Sequence, residues 1–304
     1  MRILIVLLIY VLVFSCKKNA DHSTIKLLRT ESTDNVGNVL RREYECDNNN
    51  RIIAIKQFQN NDEPVTAVTI TYNGSEVILL SHPDIEPLYD ETTEVHLSLD
   101  ENGRLLKRTE FTYEVEKVFS VKPSETFRYD TLSCAYNAAG LLSSASGSRY
   151  DSTFANATHN SVTHFTSAAT YSNDGNNLTA IDEHVDYPGV IRADGTETPF
   201  GGSSDYHNIF SYTKAFPNTA DFKNAAVLNE YNLYYEMPIN SAYKNMPDQI
   251  TRSSVDKDLN GTIIFSITSI IDIDRSYNNE GLLSVVTILS QNTPYKLINY
   301  FYGK

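Results

Sequence analysis

The sequence predicts an all-β protein, an antiparallel meander of repeated hairpins forming a curled sheet or barrel-like domain. Three observations carry this. A short phrase recurs six times: alternating residues, an aromatic or apolar one, Asn or Asp, a turn with Gly or Asn, then apolar residues. The flanks are crowded with Thr, Val, Ile, Tyr and Phe, as in residues 65–72 and 262–271, and these side chains suit a pleated, half-buried surface. The spacing is regular, with Gly103 to Gly140 and Gly140 to Gly175 differing by 37 and 35 residues.

The elements follow from the N-terminus. Met1-Arg2 gives a positive start, and Ile3 to Phe14 is an apolar run of 12 residues, short of the ~20 that a spanning helix needs. Such a run is the core of a signal peptide, spanning 1–15 here. It ends in Val13-Phe14-Ser15-Cys16, which resembles the lipobox of bacterial lipoproteins and makes Cys16 the lipid-attachment (palmitate-bearing) residue of the mature chain. An acylated cysteine gains about 0.8 kcal/mol per buried methylene, so multiple acyl chains hold a protein on a membrane without spanning it. Residues 16–30 read as the tether and 31–304 as one β-repeat domain. An outer-membrane, lipid-anchored location is expected, with the facing side open.

The repeat occupies the next stretch. Its copies close on Asp47-Asn-Asn-Asn50, Asn73-Gly74, Asp100-Glu-Asn-Gly103, Asn137-Ala-Ala-Gly140, Asn173-Asp-Gly175 and Asn278-Asn-Glu-Gly281. Asn and Asp open turns by bonding nearby backbone, and Gly supplies positive φ, so each phrase reads as a β-hairpin. Residues 183–250 interrupt the meander. Pro188-Gly189 and Pro199 to Ser204 punctuate loops, and Asp221 is placed to cap a short helix to about Tyr235, stopped by Pro238. This excursion is expected to cover an open end of the sheet.

The hairpin phrase resembles the YD-type β-repeat. The chain from Tyr44 to Tyr302 resembles an uncharacterised family of bacterial outer-membrane lipoproteins with a porin-like fold. That resemblance implies a fold and a location and transfers no catalytic residues.

Chemistry is sparse. Removal of residues 1–15 takes Arg2 away, leaving 24 Lys and Arg against 38 Asp and Glu, a net charge of −14. That acidity argues against nucleic acid and anionic membrane surfaces as partners. Asp256-Lys-Asp258-Leu-Asn260-Gly261 matches the first half of a calcium loop, but the position of the closing Glu holds Ile267; a hairpin turn is the preferred reading. His22, His82, His96, His159, His164, His184 and His207 form no HExxH or other ligand spacing, and no P-loop, GxSxG or dinucleotide fingerprint occurs. Cys46 and Cys134 read as two free, buried thiols rather than a disulfide. No cofactor is implied. The expected function is a non-catalytic envelope module, structural or binding a glycan or lipid in a groove lined by tyrosines. The competing reading is an envelope hydrolase with a carboxylate pair hidden on the sheet. A spanning barrel is disfavoured because charges fall throughout residues 109–117 and 126–130 and the mean hydropathy is −0.33.

Overall fold

The computed structural model describes residues 25–60, 64–83, 89–116, 124–154, 160–192, 196–198, 201–214, 216–218, 243–290 and 293–303. The first half holds β1 (Lys26–Asp34), β2 (Val39–Cys46), β3 (Ile52–Gln59), β4 (Pro64–Asn73), β5 (Glu76–Pro83), β6 (Tyr89–Leu99), β7 (Leu105–Glu116), β8 (Ser124–Tyr136) and β9 (Leu142–Phe154). The second half holds β10 (Asn160–Asn173), β11 (Leu178–Arg192), β12 (Glu197–Thr198), β13 (Ser203–Ser211), β14 (Phe216–Pro217), β15 (Asn245–Met246), β16 (Gln249–Lys257), β17 (Ile263–Tyr277), β18 (Leu283–Ser290) and β19 (Thr293–Gly303). Leaving out the two-residue strands, sixteen antiparallel strands follow one another around a ring, which closes where β1 pairs with β19. The described residues contain no helix. Closure removes the sheet edges that an open meander would expose.

The repeated phrase is one turn geometry used again and again. The carboxylate of Asp100 accepts the backbone N–H of Asn102 (2.8 Å) and Arg104 (2.9 Å), while Gly103 N–H bonds the Asp100 carbonyl (3.0 Å). Asp47, Asn137, Asp258 and Asn278 do the same in their own turns. The fourth residue sits at positive φ, 76° for Gly103 and 61° for Asn50, completing a three-residue hairpin loop. A bulge follows each of these turns: Leu106 and Ser143 are skipped where Leu99 pairs with Leu105 and Tyr136 with Leu142. The tyrosine of the phrase reaches its neighbour. Tyr72 donates to the Ile52 carbonyl (2.9 Å) and Tyr136 to that of Leu105 (2.9 Å), each tying a hairpin to the one before it.

Strand alternation then sorts the faces. Inward residues Ile55, Val68, Ile70, Val77, Leu79, Leu97, Ile273 and Ile288 belong to one buried cluster drawn from around the ring. Each such Leu or Ile contributes about 1.5–3 kcal/mol when fully buried. The apolar residues after the turns, Ile52, Leu141, Leu178 and Leu283, pack into the same cluster, so one end of the barrel is a filled core. That end also carries the start of β1 and the end of β19, and is called the turn end below.

Sixteen strands enclose more space than their own side chains fill. The segment between β13 and β16 helps fill it, with Tyr243 and Met246 fully buried against the cluster. Its described parts are tied down by Lys244 N–H to the Asn176 carbonyl (2.9 Å), by the β14–β15 pair, and by Asp248, whose carboxylate accepts Thr213 and Lys214 N–H (2.8 and 3.1 Å). The excursion is thus narrower than 183–250. β11 runs to Arg192 and β13 covers Ser203–Ser211, because their inward residues Glu183, Ser204, Tyr206 and Asn208 face a polar stretch of the interior and leave little apolar alternation to read. The helix expected near 221–235 lies outside the described residues. The sheet starts at Lys26, earlier than residue 31, since Leu27 and Thr30 are buried strand residues.

Candidate functional site

The wall formed by β7 to β10 differs from the rest of the barrel on both faces. Inside, alternate positions of three adjacent strands carry Arg108 and Glu110, Arg128 and Asp130, and Arg149 and Asp151. Arg108 bridges Glu110 and reaches Asp130 at 3.7 Å; Arg128 and Arg149 converge on Asp151 at 3.2 and 2.7 Å. The ladder has three cations and three anions, so it is neutral and each of its charges is held by an opposite one. Burial raises the Asp130 carboxyl above its ordinary range, opposed by Arg108. Around the ring, Arg42 with Gln57 (3.0 Å) and Arg252 with Asn208 (3.1 Å) continue the polar lining away from the filled turn end.

Outside, the register puts four rings in one row. Phe111 of β7 is directly opposite Tyr129 of β8, Tyr129 opposite Tyr150 of β9, and Tyr150 opposite His164 of β10. Phe111, Tyr129 and Tyr150 are 45%, 43% and 41% exposed. Tyr150 and His164 stack with centroids 4.2 Å apart and planes 6° apart. A second row lies beside it, Tyr113 against Phe127 with centroids 4.8 Å apart. Adjacent strands are about 4.8 Å apart, so the four-ring row is about 14 Å long. Exposed side chains this apolar, and contiguous, mark interaction surfaces. The polarity of this wall is inverted: charges within, rings without.

Elsewhere the outer face is charged in mid-strand. His184 lies between Asp205 (2.6 Å) and Asp186 (3.1 Å), and His207 bonds Asp182. His96 lies between Glu76 and Glu94 (3.0 and 2.7 Å). The carboxylates hold both His184 and His96 above the usual histidine pKa, Asp205 being the main cause for the first and Glu76 for the second.

The residues singled out in the sequence are scattered. Cys16, His22 and His159 lie outside the described residues. Asp258 and Asn260 sit in the β16–β17 turn and Asp256 on the strand before it, where its carboxylate accepts the Ser204 hydroxyl (2.7 Å). Asp258 spends its Oδ1 on Asn260 and Thr262 N–H, like the repeat turns. Among the described residues no group of three or more His, Cys, Asp or Glu is placed to hold a metal. Cys46 and Cys134 are half-buried, on β2 and β8, and form no disulfide among the described residues; burial raises the Cys134 thiol. Of the inward tyrosines, Tyr44 bonds Thr30 (2.8 Å) and Tyr212 bonds the Leu178 carbonyl (2.6 Å), and both pack with the core. The ring row was missed in the sequence because it needs register across four strands, although Phe111, Tyr129 and Tyr150 each sit in an alternating stretch.

No family model matches the chain, and no curated protein matches it. Solved structures similar to it include two porin-like proteins. A porin-like protein from Bacteroides vulgatus ATCC 8482 is 9% identical, covering 91% of this chain and 98% of that one, with a TM-score of 0.49. A porin-like protein from Bacteroides uniformis ATCC 8492 is 10% identical, covering 92% and 97%, with a TM-score of 0.46. The barrel assignment rests on this chain's own strand pairing.

Proposed function

We propose that this chain is a non-catalytic lipoprotein of the bacterial cell envelope, held by a lipid on Cys16, whose barrel binds glycan on its outer β7–β10 wall. The observation that carries the reading is the in-register row Phe111, Tyr129, Tyr150 and His164. Sugar rings present apolar C–H faces to aromatic faces, and tyrosine adds a hydroxyl at the rim of an apolar ring. A row about 14 Å long suits an oligosaccharide of several sugar units.

The anchor reading is supported by the position of β1. Residues 17–25 reach at most about 32 Å when fully extended, which keeps Lys26 and the turn end near the bilayer and leaves the loops opposite facing away. The barrel rests at the membrane rather than across it. Exposed Asp182, Asp186 and Glu94 lie in mid-strand on the outer face, where a charge in hydrocarbon is costly.

The test uses the chain from residue 17, which keeps every described strand. Saturable binding to an envelope polysaccharide is expected, weakened at least tenfold in the triple variant Phe111→Ala, Tyr129→Ala, Tyr150→Ala with the fold retained. A panel of envelope polysaccharides that shows no binding, or binding indifferent to the triple variant, refutes it.

A hydrolase is the competing reading, and one observation favours it: Glu110 and Asp130 are directly opposed on the inner wall, with Asp130 raised by burial. Both carboxylates are engaged by Arg108, which explains them structurally. Turnover of chromogenic glycosides or esters, abolished by Asp130→Asn, would establish the hydrolase instead.

A further inference from the structure

One stretch of wall does not share the closure of the ring. β17 is 15 residues long, yet β18 pairs with it only from Ile271 to Tyr277. From Ile263 to Ile270 the strand bonds β16 on one side and, among the described residues, no strand on the other. This half-strand is exposed on both faces: Ile264 is 68% exposed and Ile267 51%, with Ile263, Phe265 and Ile270 similarly open. A long apolar edge of this kind templates pairing with another strand, and natural proteins usually blunt it with charge. Here the edge carries no such charge, since residues 259–271 contain no charged side chain.

The sequence of the edge says which strand it fits. Ile263-Ile-Phe-Ser-Ile267-Thr-Ser-Ile-Ile271 reads almost the same in both directions about Ile267. Antiparallel pairing of two copies about that residue puts Ile264 opposite Ile270 of the second copy, Ser266 opposite Thr268, and Ile267 opposite itself. On the outer face Ile264 and Ile270 then meet and Ser266 meets Thr268, the cross-strand matches that stabilise a ladder, while on the inner face Ile267 meets itself and Phe265 meets Ser269. Charges do not oppose the arrangement, because the pairable stretch 264–270 contains none, while Ile271 and Asp272 stay paired with β18. A two-fold contact of this form is self-complementary and closes at two copies. It also lies at the end of the barrel opposite Lys26.

We propose that the Ile263–Ile270 edge of β17 is a homodimer interface, in which a second copy of this chain adds its own β17 antiparallel about Ile267. The interface is independent of the β7–β10 wall.

The experiment uses the chain from residue 17 in sedimentation equilibrium together with thiol cross-linking. A monomer–dimer equilibrium is expected, weakened at least tenfold by Ile267→Lys, which sets two like charges on the symmetry axis. Under mild oxidation Ile267→Cys should cross-link to a covalent dimer, since directly opposed Cβ atoms are within about 5.5 Å. Ile264→Cys should not, because its counterpart in the second copy lies at the far end of the ladder. The wild type, which keeps Cys46 and Cys134, gives the background. The cysteine pair needs no charged substitution, so the inference stays testable if Ile267→Lys fails to fold. A chain that is monomeric throughout, a dimer indifferent to Ile267→Lys, or equal cross-linking at 264 and 267 overturns it. So does co-sedimentation of the monomer with phosphatidylethanolamine–phosphatidylglycerol vesicles that Ile267→Lys abolishes, which would assign the edge to lipid.

Discussion

Asn137 and Gly103 show how much of the barrel is written in single turn residues. The Asn137 side chain satisfies the N–H groups of Ala139 and Leu141, both at 3.0 Å, and leads Leu141 into the core. Asn137→Ala leaves those donors to water and should cost about 1–2 kcal/mol in urea unfolding. Asn137→Asp should be nearly neutral, since Asp47 and Asp100 fill the same place in sister turns. Gly103 has φ of 76° and open space around a notional Cβ, so its substitution tests conformation alone. Gly103→Ala should cost about 1–2 kcal/mol. Gly103→Asn should cost less, because Asn50 already adopts that φ in the β2–β3 turn. Equal losses for Ala and Asn would show that something other than backbone conformation selects glycine. These residues were legible in the sequence because a turn acts through its own backbone within five residues.

At the scale of elements, the hairpin is the repeating unit, and the period of about 36 residues is two long strands and their turns. The β16–β17 hairpin shows the limit of reading a motif by its letters. Its DxDxNG stretch has the residue types of a calcium loop, but Asp256 points inward on a strand while Asp258 caps the turn backbone. Chelator should therefore leave the melting temperature unchanged. A filled site would add about 2–4 kcal/mol, so a rise of several degrees with calcium would contradict the turn assignment. The β11 and β13 strands were the elements least visible in advance. Their inward positions are Glu183, Val185, Ser204, Tyr206 and Asn208, and a polar-lined strand has no apolar period to detect. The same cause hid the ion ladder of β7 to β9, whose Arg and Asp residues look like solvated surface until closure turns them inward.

For the whole molecule, the anchor and the barrel make separate claims. Cys16→Ser should be exported yet no longer sediment with membranes, and a palmitate analogue should label the wild type alone; equal labelling would remove the lipid assignment. The turn end is a packed core with Tyr243 and Met246 seated in it, while the opposite part of the interior is polar. This split explains why the mean hydropathy is low for a protein with a continuous apolar cluster. By itself the sequence determined the hairpin unit, its turn chemistry and the all-β class, because each of these is set by neighbours within a few residues. Only the tertiary structure decided which face of each strand is interior, that the ring closes through β1 and β19, and that Phe111, Tyr129, Tyr150 and His164 share one row. Those outcomes depend on register between strands, and a shift of one residue would exchange every inward side chain for an outward one.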